Sequence, residues 1–596
     1  MSWRQYRPLL QPISRPDPAA SPVQKLIRRR PVAAIEAFAD ADIHPLLARV
    51  YSARGIESPG QLDLALTRLL PPDLLLNADR AATLLADALE ADKRIVVVGD
   101  FDADGATSTA VVVSALRAFG ARHVDYLVPN RFEYGYGLTP EIVALAARDQ
   151  PDLIITVDNG ISSVEGVAAA TALGITTLIT DHHLAGRELP QAQVIVNPNQ
   201  PGCNFPSKSL AGVGVIFYIM LALRAELRSR NWFAHRAEVN LAQYLDLVAL
   251  GTVADVVPLD RNNRILVAEG LRRIRAGHCR PGILALLEVA SRQRGSVVAS
   301  DLGFAVAPRI NAAGRLEDMS IGIECLLSED MADARSRAMR LHALNQERRV
   351  IEQGMQEEAL QILEQLALED TAAPVAMTLY QGGWHQGVIG ILASRIKDRL
   401  HRPTIAFADG DAGELKGSAR SIPGIHIRDI LDAVATRHPG LITRFGGHAM
   451  AAGLTLPRSA YRQFATAFVE EVERHAQDVH LQAVLESDGE LAADEFQLPL
   501  ATALRFGGPW GQHFPEPVFD GRFAVVSQRI VGERHLKLVL TPAGGDTAVD
   551  AIAFNIDPAV WPDPSIAEIE IAYRLDVNEF RGQRSVQLMI EHLVPH

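Results

Sequence analysis

The spacing of apolar residues along the 596-residue chain changes several times, and each change marks a different architecture. Between about residues 90 and 200, short β-branched runs recur at Ile95–Val98, Val124–Val128, Leu153–Val157, Thr176–Thr180 and Val194–Val196. Alanine- and leucine-rich stretches of helical period separate them, among them Ala106–Phe119 and Pro140–Ala147. Runs without a polar face, alternating with helices at this spacing, predict βαβ units and a parallel sheet covered on both sides. Right-handed crossovers then place all the strand carboxyl ends on one edge. Residues 200–325 read as mostly helical, with Ser209–Arg230 and Leu241–Leu250 the clearest spans.

From residue 328 to about 370 the chain is charged, lacks proline and has Gly354 as its single glycine. Its apolar residues fall near helical period, so a long connecting helix is expected over 328–372. A second α/β unit follows over 373–477, with strands at Val375–Leu379 and Thr404–Phe407 and a high glycine content. From 478 to 596 five alternating runs separated by turn residues predict a small barrel of the oligonucleotide-binding type, with a sandwich as the alternative. The expected fold class is therefore α/β: a first α/β domain over 46–327, a second joined to it by the long helix, and a C-terminal β-barrel. Residues 1–45, rich in proline and arginine, read as a mobile tail in which Arg28, Arg29 and Arg30 are solvated.

The composition, 48% hydrophobic and 22% charged, is that of a globular protein. The net charge of −13 disfavours a protein that coats long duplex DNA by neutralising phosphates, though a nucleic-acid enzyme with a local basic channel stays open. Cys203, Cys279 and Cys325 form no CxxC pair, so neither a disulfide framework nor a zinc ribbon is expected. The longest apolar run, Leu210–Leu223, suits a core helix better than a membrane span, and no apolar stretch follows Arg4 and Arg7 to make a signal peptide. The chain reads as a cytoplasmic protein without a membrane partner.

Against this background the placement of acidic residues stands out. The run Ile95–Val98 leads into Gly99-Asp100-Phe101-Asp102-Ala103-Asp104-Gly105. If this segment is extended, Asp100, Asp102 and Asp104 project to one side, and Thr107 and Ser108 then open a helix. LIITV ends in Asp158, TTLIT ends in Asp181-His182-His183, and another apolar segment delivers Asp255. Ligand sites in open parallel sheets lie outside the strand carboxyl ends. Repelling carboxylates at successive strand ends, with a histidine pair beside them, call for a cation. Carboxylates with imidazole and no thiolate favour Mn²⁺ or Mg²⁺ over zinc. Two such ions about 4 Å apart would suit in-line attack on a phosphodiester.

VVVGDFDADG, VDNG, TDHH and TVADVVPL, in this order, resemble the four motifs of the DHH phosphoesterase superfamily. PRINAAGRL, WHQGVIGILASRI, KGSARS and FGGHAMAAGL resemble the associated DHHA1 domain and its approach. With its trailing barrel, the chain is similar over about residues 45–590 to the superfamily's single-strand-specific 5′→3′ DNA exonucleases. The resemblance implies Asp102, Asp104, Asp158, His182 and Asp255 as metal ligands, with Asp158 bridging two ions. It implies His183 at the scissile phosphate or leaving group and Asp181 orienting its neighbours. Related pyrophosphatases carry a ligating histidine four residues before the aspartate matching Asp102; Val98 stands there in this chain, so that one ion is either held more weakly or recruits Asp100.

Phosphate recognition is expected from Gly446 and Gly447, whose backbone can approach an anion, and from His448, Ser418 and Arg420. Arg309, Asn311 and Arg315 are expected near the metals as candidates for gripping the terminal 5′ phosphate, and His385 is either a phosphate contact or a structural hydrogen-bond partner. The activity so implied is hydrolysis of single-stranded DNA to 5′-mononucleotides by a monomer acting in repair and recombination, with a helicase and a single-strand-binding protein as partners. The alternatives are a phosphodiesterase on short oligonucleotides or cyclic dinucleotides, and a non-catalytic single-strand-binding scaffold. Barrel aromatics Phe519, Phe523, Tyr573 and Phe580 are stacking candidates, most of them expected in the core.

Overall fold

The computed structural model describes residues 25–32, 35–129, 137–367, 374–532, 534–556 and 561–596. The expected mobile tail lies outside these up to residue 24; from there on the mobility is corrected, while Arg28 and Arg29 are exposed as expected. Leu26–Arg29 is a strand (β1). Leu26 N donates to Ala483 O at 2.8 Å and Arg30 N to Ser487 O at 2.7 Å. Each arginine of the run meets a carboxylate: Arg28 meets Glu486 at 2.5 Å, Arg29 meets Asp520 at 2.7 Å, and Arg30 meets Asp488 at 3.7 Å. Charge pairing orders a segment with little apolar surface of its own.

The β-branched runs form a five-stranded parallel sheet: β2 (Ile95–Gly99), β3 (Val124–Leu127), β4 (Leu153–Val157), β5 (Thr176–Thr180) and β6 (Val194–Val196), in the order β3-β2-β4-β5-β6. Every residue of β2 and β4 is buried, as strands covered on both faces require. The register matters most for function. Gly99 pairs with Val157, Val157 with Thr180, and Thr180 with Val196. Four strands therefore end in one row, and the next residues are Asp100, Asp158, Asp181 and Asn197. The apolar run expected to be a core helix is the helix Gly212–Ser229, with most of its first half fully buried. Among the described residues, no helix is long and apolar enough to cross a membrane.

The expected connecting helix runs over Met331–Ala367. Beyond it comes a second five-stranded sheet: β7 (Met377–Tyr380), β8 (Thr404–Asp409), β9 (Glu414–Arg420), β10 (Arg444–Gly447) and β11 (Ala451–Pro457), in the order β10-β11-β9-β8-β7. Only β7 and β8 run parallel; the other pairs are antiparallel. A short strand, β12 (Val484–Ser487), pairs with β1. The C-terminal runs β13 (Phe519–Val531), β14 (His535–Pro542), β15 (Val549–Ala553), β16 (Glu568–Phe580) and β17 (Gln583–Pro595) close into a barrel, which decides against the sandwich. Phe519, Phe523 and Tyr573 fill its core; Phe580 is 65% exposed.

The chain divides into two compact units. One comprises residues 346–486 with the described residues up to Arg28; the other comprises 29–345 with 487–596. The barrel thus shares a unit, and a continuous apolar core, with the first parallel sheet. The ion pair of Arg54 with Asp488, 2.7 Å and 1% exposed on each side, ties it to the N-terminal helices of that unit.

Candidate metal centre

Where β2 ends, the chain does not continue extended, and the expected alternation of three aspartates is corrected. Asp102 is the N-cap of the helix Ala103–Phe119, its Oδ1 accepting from Asp104 N at 2.9 Å and Gly105 N at 3.0 Å. The helix opens there rather than at Thr107 and Ser108 because an aspartate cap satisfies the first-turn amides; Thr107 Oγ1 donates to Ala103 O inside the helix. Gly105 permits the tight turn, since a Cβ there would lie 2.4 Å from the carbonyl oxygen of Asp100. Asp104, 1% exposed, accepts from Gly212 N at 2.6 Å and Val213 N at 3.0 Å. The N-terminus of a long buried helix is thus aimed at a carboxylate, as its dipole favours.

Asp158 follows β4 with φ +62°, a left-handed conformation that aspartate tolerates. Its neighbour Asn159 bridges strands by donating to Val98 O at 3.1 Å and Val157 O at 2.9 Å. After β5, Asp181 Oδ1 accepts from His182 N (2.7 Å), His183 N (3.1 Å) and His183 Nδ1 (2.7 Å), while Oδ2 accepts from Ile161 N at 2.9 Å. Asp255 caps the carboxyl end of the helix Leu245–Ala254. Val256 behind it is held at φ +59°, strained for a β-branched side chain, and is 62% exposed.

These elements bring the acidic residues together. His182 Nε2 lies 3.0 Å from Asp158 Oδ1 and 3.4 Å from Asp255 Oδ2. Three sets of side chains each offer donor atoms within 4.8 Å of one another: Asp100, Asp102 and Asp158; Asp104, His182 and Asp255; Asp158, His182 and His183. Asp158 and His182 each belong to two sets. Burial, then the neighbouring carboxylate of Asp255, pushes Asp104 up to about 7. Burial, then Asp102, pushes Asp255 up to about 8. Asp158 is raised well above the carboxylate range by burial and then by Asp104. Burial and the adjacent His183 lower His182, leaving a neutral imidazole with a lone pair to offer. Burial opposes the charge on His183, but the bond to Asp181 overrides it and raises the imidazole to about 9. A site of crowded carboxylates and a neutral imidazole, with no thiolate, fits hard divalent cations. Val98 is fully buried in the sheet and offers no donor, whereas Asp100 stands in a donor set with Asp102 and Asp158.

Asn311, on the helix Ala307–Leu316, reaches this region, its Oδ1 accepting from Ala103 N at 2.7 Å. Arg315 is half-buried on the same helix. Arg309 is buried; it donates through Nε to His342 Nδ1 at 3.2 Å and through Nη1 to Ala305 O at 2.5 Å. In the other unit, Arg420 Nη1 donates to Ser418 Oγ at 3.0 Å, and both lie against the first turn of the helix Ile389–Leu400 where Gly390 allows close approach. His385 Nδ1 accepts from Gly387 N at 3.1 Å in the turn leading to that helix, so it has a structural bond. Gly446 pairs with Gly453, and Gly453 with Ser418, so small residues line one row across β10, β11 and β9. Gly447 has φ +142°, and His448 N closes the hairpin on Ala451 O at 2.8 Å.

Three family profiles match the chain: the DHH family, N-terminal domain, over residues 94–252; the DHHA1 domain over 372–476; and the RecJ OB domain over 487–592. The single-stranded-DNA-specific exonuclease RecJ of Dickeya dadantii is 58% identical over 571 residues, covering 96% of this chain and 99% of its own. That of Escherichia coli is 55% identical, covering 93% and 96%. The chain belongs to the RecJ family. The crystal structure of RecJ from Thermus thermophilus in complex with Mn²⁺ superposes with a TM-score of 0.78 at 30% identity, covering 96% of this chain and 79% of that one. The same RecJ protein in complex with Mg²⁺ gives 0.73 at 29% identity, covering 96% and 78%. Sequence reading missed the backbone of Gly212 and Val213 at Asp104 and the amide of Asn159. A glycine opening an apolar helix was the available signal for the first; a lone asparagine after an aspartate gave none.

Proposed function

We propose that this chain is a Mn²⁺- or Mg²⁺-dependent exonuclease that degrades single-stranded DNA from the 5′ end to 5′-mononucleotides. One observation carries the reading: the strand register gathers three overlapping donor sets at one sheet edge, in a chain whose full length matches the RecJ family. Asp102, Asp104, Asp158, His182 and Asp255, with Asp100 in place of the histidine that Val98 lacks, would hold two ions. Bound there, they would supply Lewis-acid activation of water and neutralise charge on the phosphodiester. Asp158 and His182 each belong to two donor sets and would serve both ions. His183, bonded through Nδ1 to Asp181, offers a proton or a hydrogen bond to the phosphate or leaving oxygen. Asp181 orients the pair.

Ser418, Arg420, Gly446, Gly447 and His448 would hold the terminal phosphate, with Arg315 and Asn311 serving the metal-bearing unit. The division of labour we favour is chemistry in 46–327, end recognition in 373–477 and support of the trailing strand by 478–596, with Met331–Ala367 as connector. Action as a monomer in cytoplasmic repair and recombination, beside a helicase and a single-strand-binding protein, accords with that activity. The test is Asp158→Ala: cleavage of a 5′-phosphorylated single-stranded oligonucleotide should fall by at least 10³-fold while its binding persists, about 4 kcal/mol of transition-state stabilisation. Retained cleavage would overturn the assignment.

A further inference from the structure

His182 and His183 leave the sheet at the point where regular hydrogen bonding stops. Their four backbone polar groups must be satisfied by something other than a strand ladder. The two amides both donate to Asp181 Oδ1. The two carbonyls are held by asparagines beyond the end of the neighbouring strand β6: Asn197 Nδ2 donates to His183 O at 2.9 Å, and Asn199 Nδ2 donates to His182 O at 2.6 Å. The asparagines are themselves linked, since Asn199 N donates to Asn197 Oδ1 at 2.7 Å. Asn197 is fully buried, so its amide has one geometry available. The loop carrying them is closed by Lys208, whose ammonium donates to Pro198 O and Cys203 O at 2.7 Å each, while its own carbonyl accepts from Asn199 at 3.2 Å.

We infer that Asn197 and Asn199 are positioning residues that set the angle at which His182 meets the divalent ions and His183 meets the phosphate. This rests on the metal-centre reading above and extends it to residues outside the donor sets. Partners that orient a ligand are worth on the order of 10–100-fold in metal affinity. In Asn199→Asp the shape is retained, but the donor is replaced by an oxygen that repels the His182 carbonyl; Asn197→Asp does the same at His183.

The experiment is Mn²⁺ titration of the full-length chain, followed by calorimetry and by the electron paramagnetic resonance of bound Mn²⁺, with thermal unfolding measured in chelator. Asn199→Asp should weaken Mn²⁺ binding by about 10–100-fold and alter the bound spectrum, while the midpoint in chelator stays within about 2 °C of the parent chain. Asn199→Ala, which leaves room for a water to replace the amide, should lose less. If Asn197→Asp does not fold, the two Asn199 variants decide the matter alone. Unchanged Mn²⁺ affinity and spectrum in Asn199→Asp would overturn the inference, as would a loss of affinity matched by an equal loss of stability without metal. A parent chain that takes up no Mn²⁺ would instead remove the metal centre itself.

Discussion

One tight constraint on the centre comes from a residue with no side chain. Gly212 donates its amide to Asp104 at 2.6 Å and sits so close to Asp158 that a Cβ at this position would lie 2.6 Å from Asp158 Cβ, 2.8 Å from Oδ1 and 2.9 Å from Cα. Carbon atoms in contact prefer about 3.5–4.0 Å, so Gly212→Ala demands a shift of roughly 1 Å. Turning the carboxylate cannot supply it, because the Asp158 backbone is also in the way. Either Asp158 moves or the helix Gly212–Ser229 does, and in the second case Asp104 loses its two amide donors. Overpacking of this kind costs about 1–3 kcal/mol of stability. A 1 Å misplacement of a reacting group costs on the order of 10²-fold in rate. Single-turnover cleavage of a 5′-phosphorylated single-stranded oligonucleotide at saturating Mn²⁺ should therefore slow by about 10²-fold. Gly214→Ala is the control: its Cβ would meet the Leu210 side chain, closest at Cδ2 (3.1 Å) and in ordinary contact at Cβ (3.6 Å), and should cost little. A Gly212→Ala chain that cleaves within threefold of the parent would refute the reasoning.

Arg54→Ala should destabilise the metal-bearing unit by about 3–5 kcal/mol in denaturant unfolding, because it strands the buried carboxylate of Asp488; a loss under 1 kcal/mol would show that Arg30 suffices as its partner. Adding Mn²⁺ to chelator-treated protein should raise the thermal midpoint, with about 2.7 kcal/mol of added stability at a hundredfold excess over the dissociation constant, and Asp158→Ala should abolish the rise. Burial pushes the Cys279 and Cys325 thiols up to about 12. Between about 9 and 12 the unfolded chain ionises these thiols and the folded chain does not, so stability should fall as pH rises through that window. At pH 8 both thiols should react with a disulfide reagent far more slowly than in denaturant.

How much of this was legible in the chain depends on whether one residue or two distant ones carry the information. The parallel sheet was readable because each β-branched run is self-contained: β4, β5 and β6 fall at the residues expected, and β2 runs one further, to Gly99. Their carboxyl ends made Asp158, Asp181 and His182 conspicuous for the same reason. The path through Asp100–Asp104 was misjudged because two local rules compete there. Alternation in an extended strand and capping of a helix both suit Asp-x-Asp-x-Asp, and Asp102 is decided for capping by the amides of Asp104 and Gly105. The order in the arginine run Arg28–Arg30 was not legible because its carboxylates lie at Glu486, Asp488 and Asp520, more than 450 residues away along the chain, although Arg28 and Arg29 stay exposed as expected. The asparagine bracket was invisible for a related reason. Nothing in Asn197-Pro198-Asn199 names a partner until the register of β5 against β6 sets it beside the histidines. A sequence discloses the donors of a metal site, which announce themselves by their chemistry. It conceals the groups that aim those donors, which are ordinary amides and glycines made consequential only by what the fold lays against them.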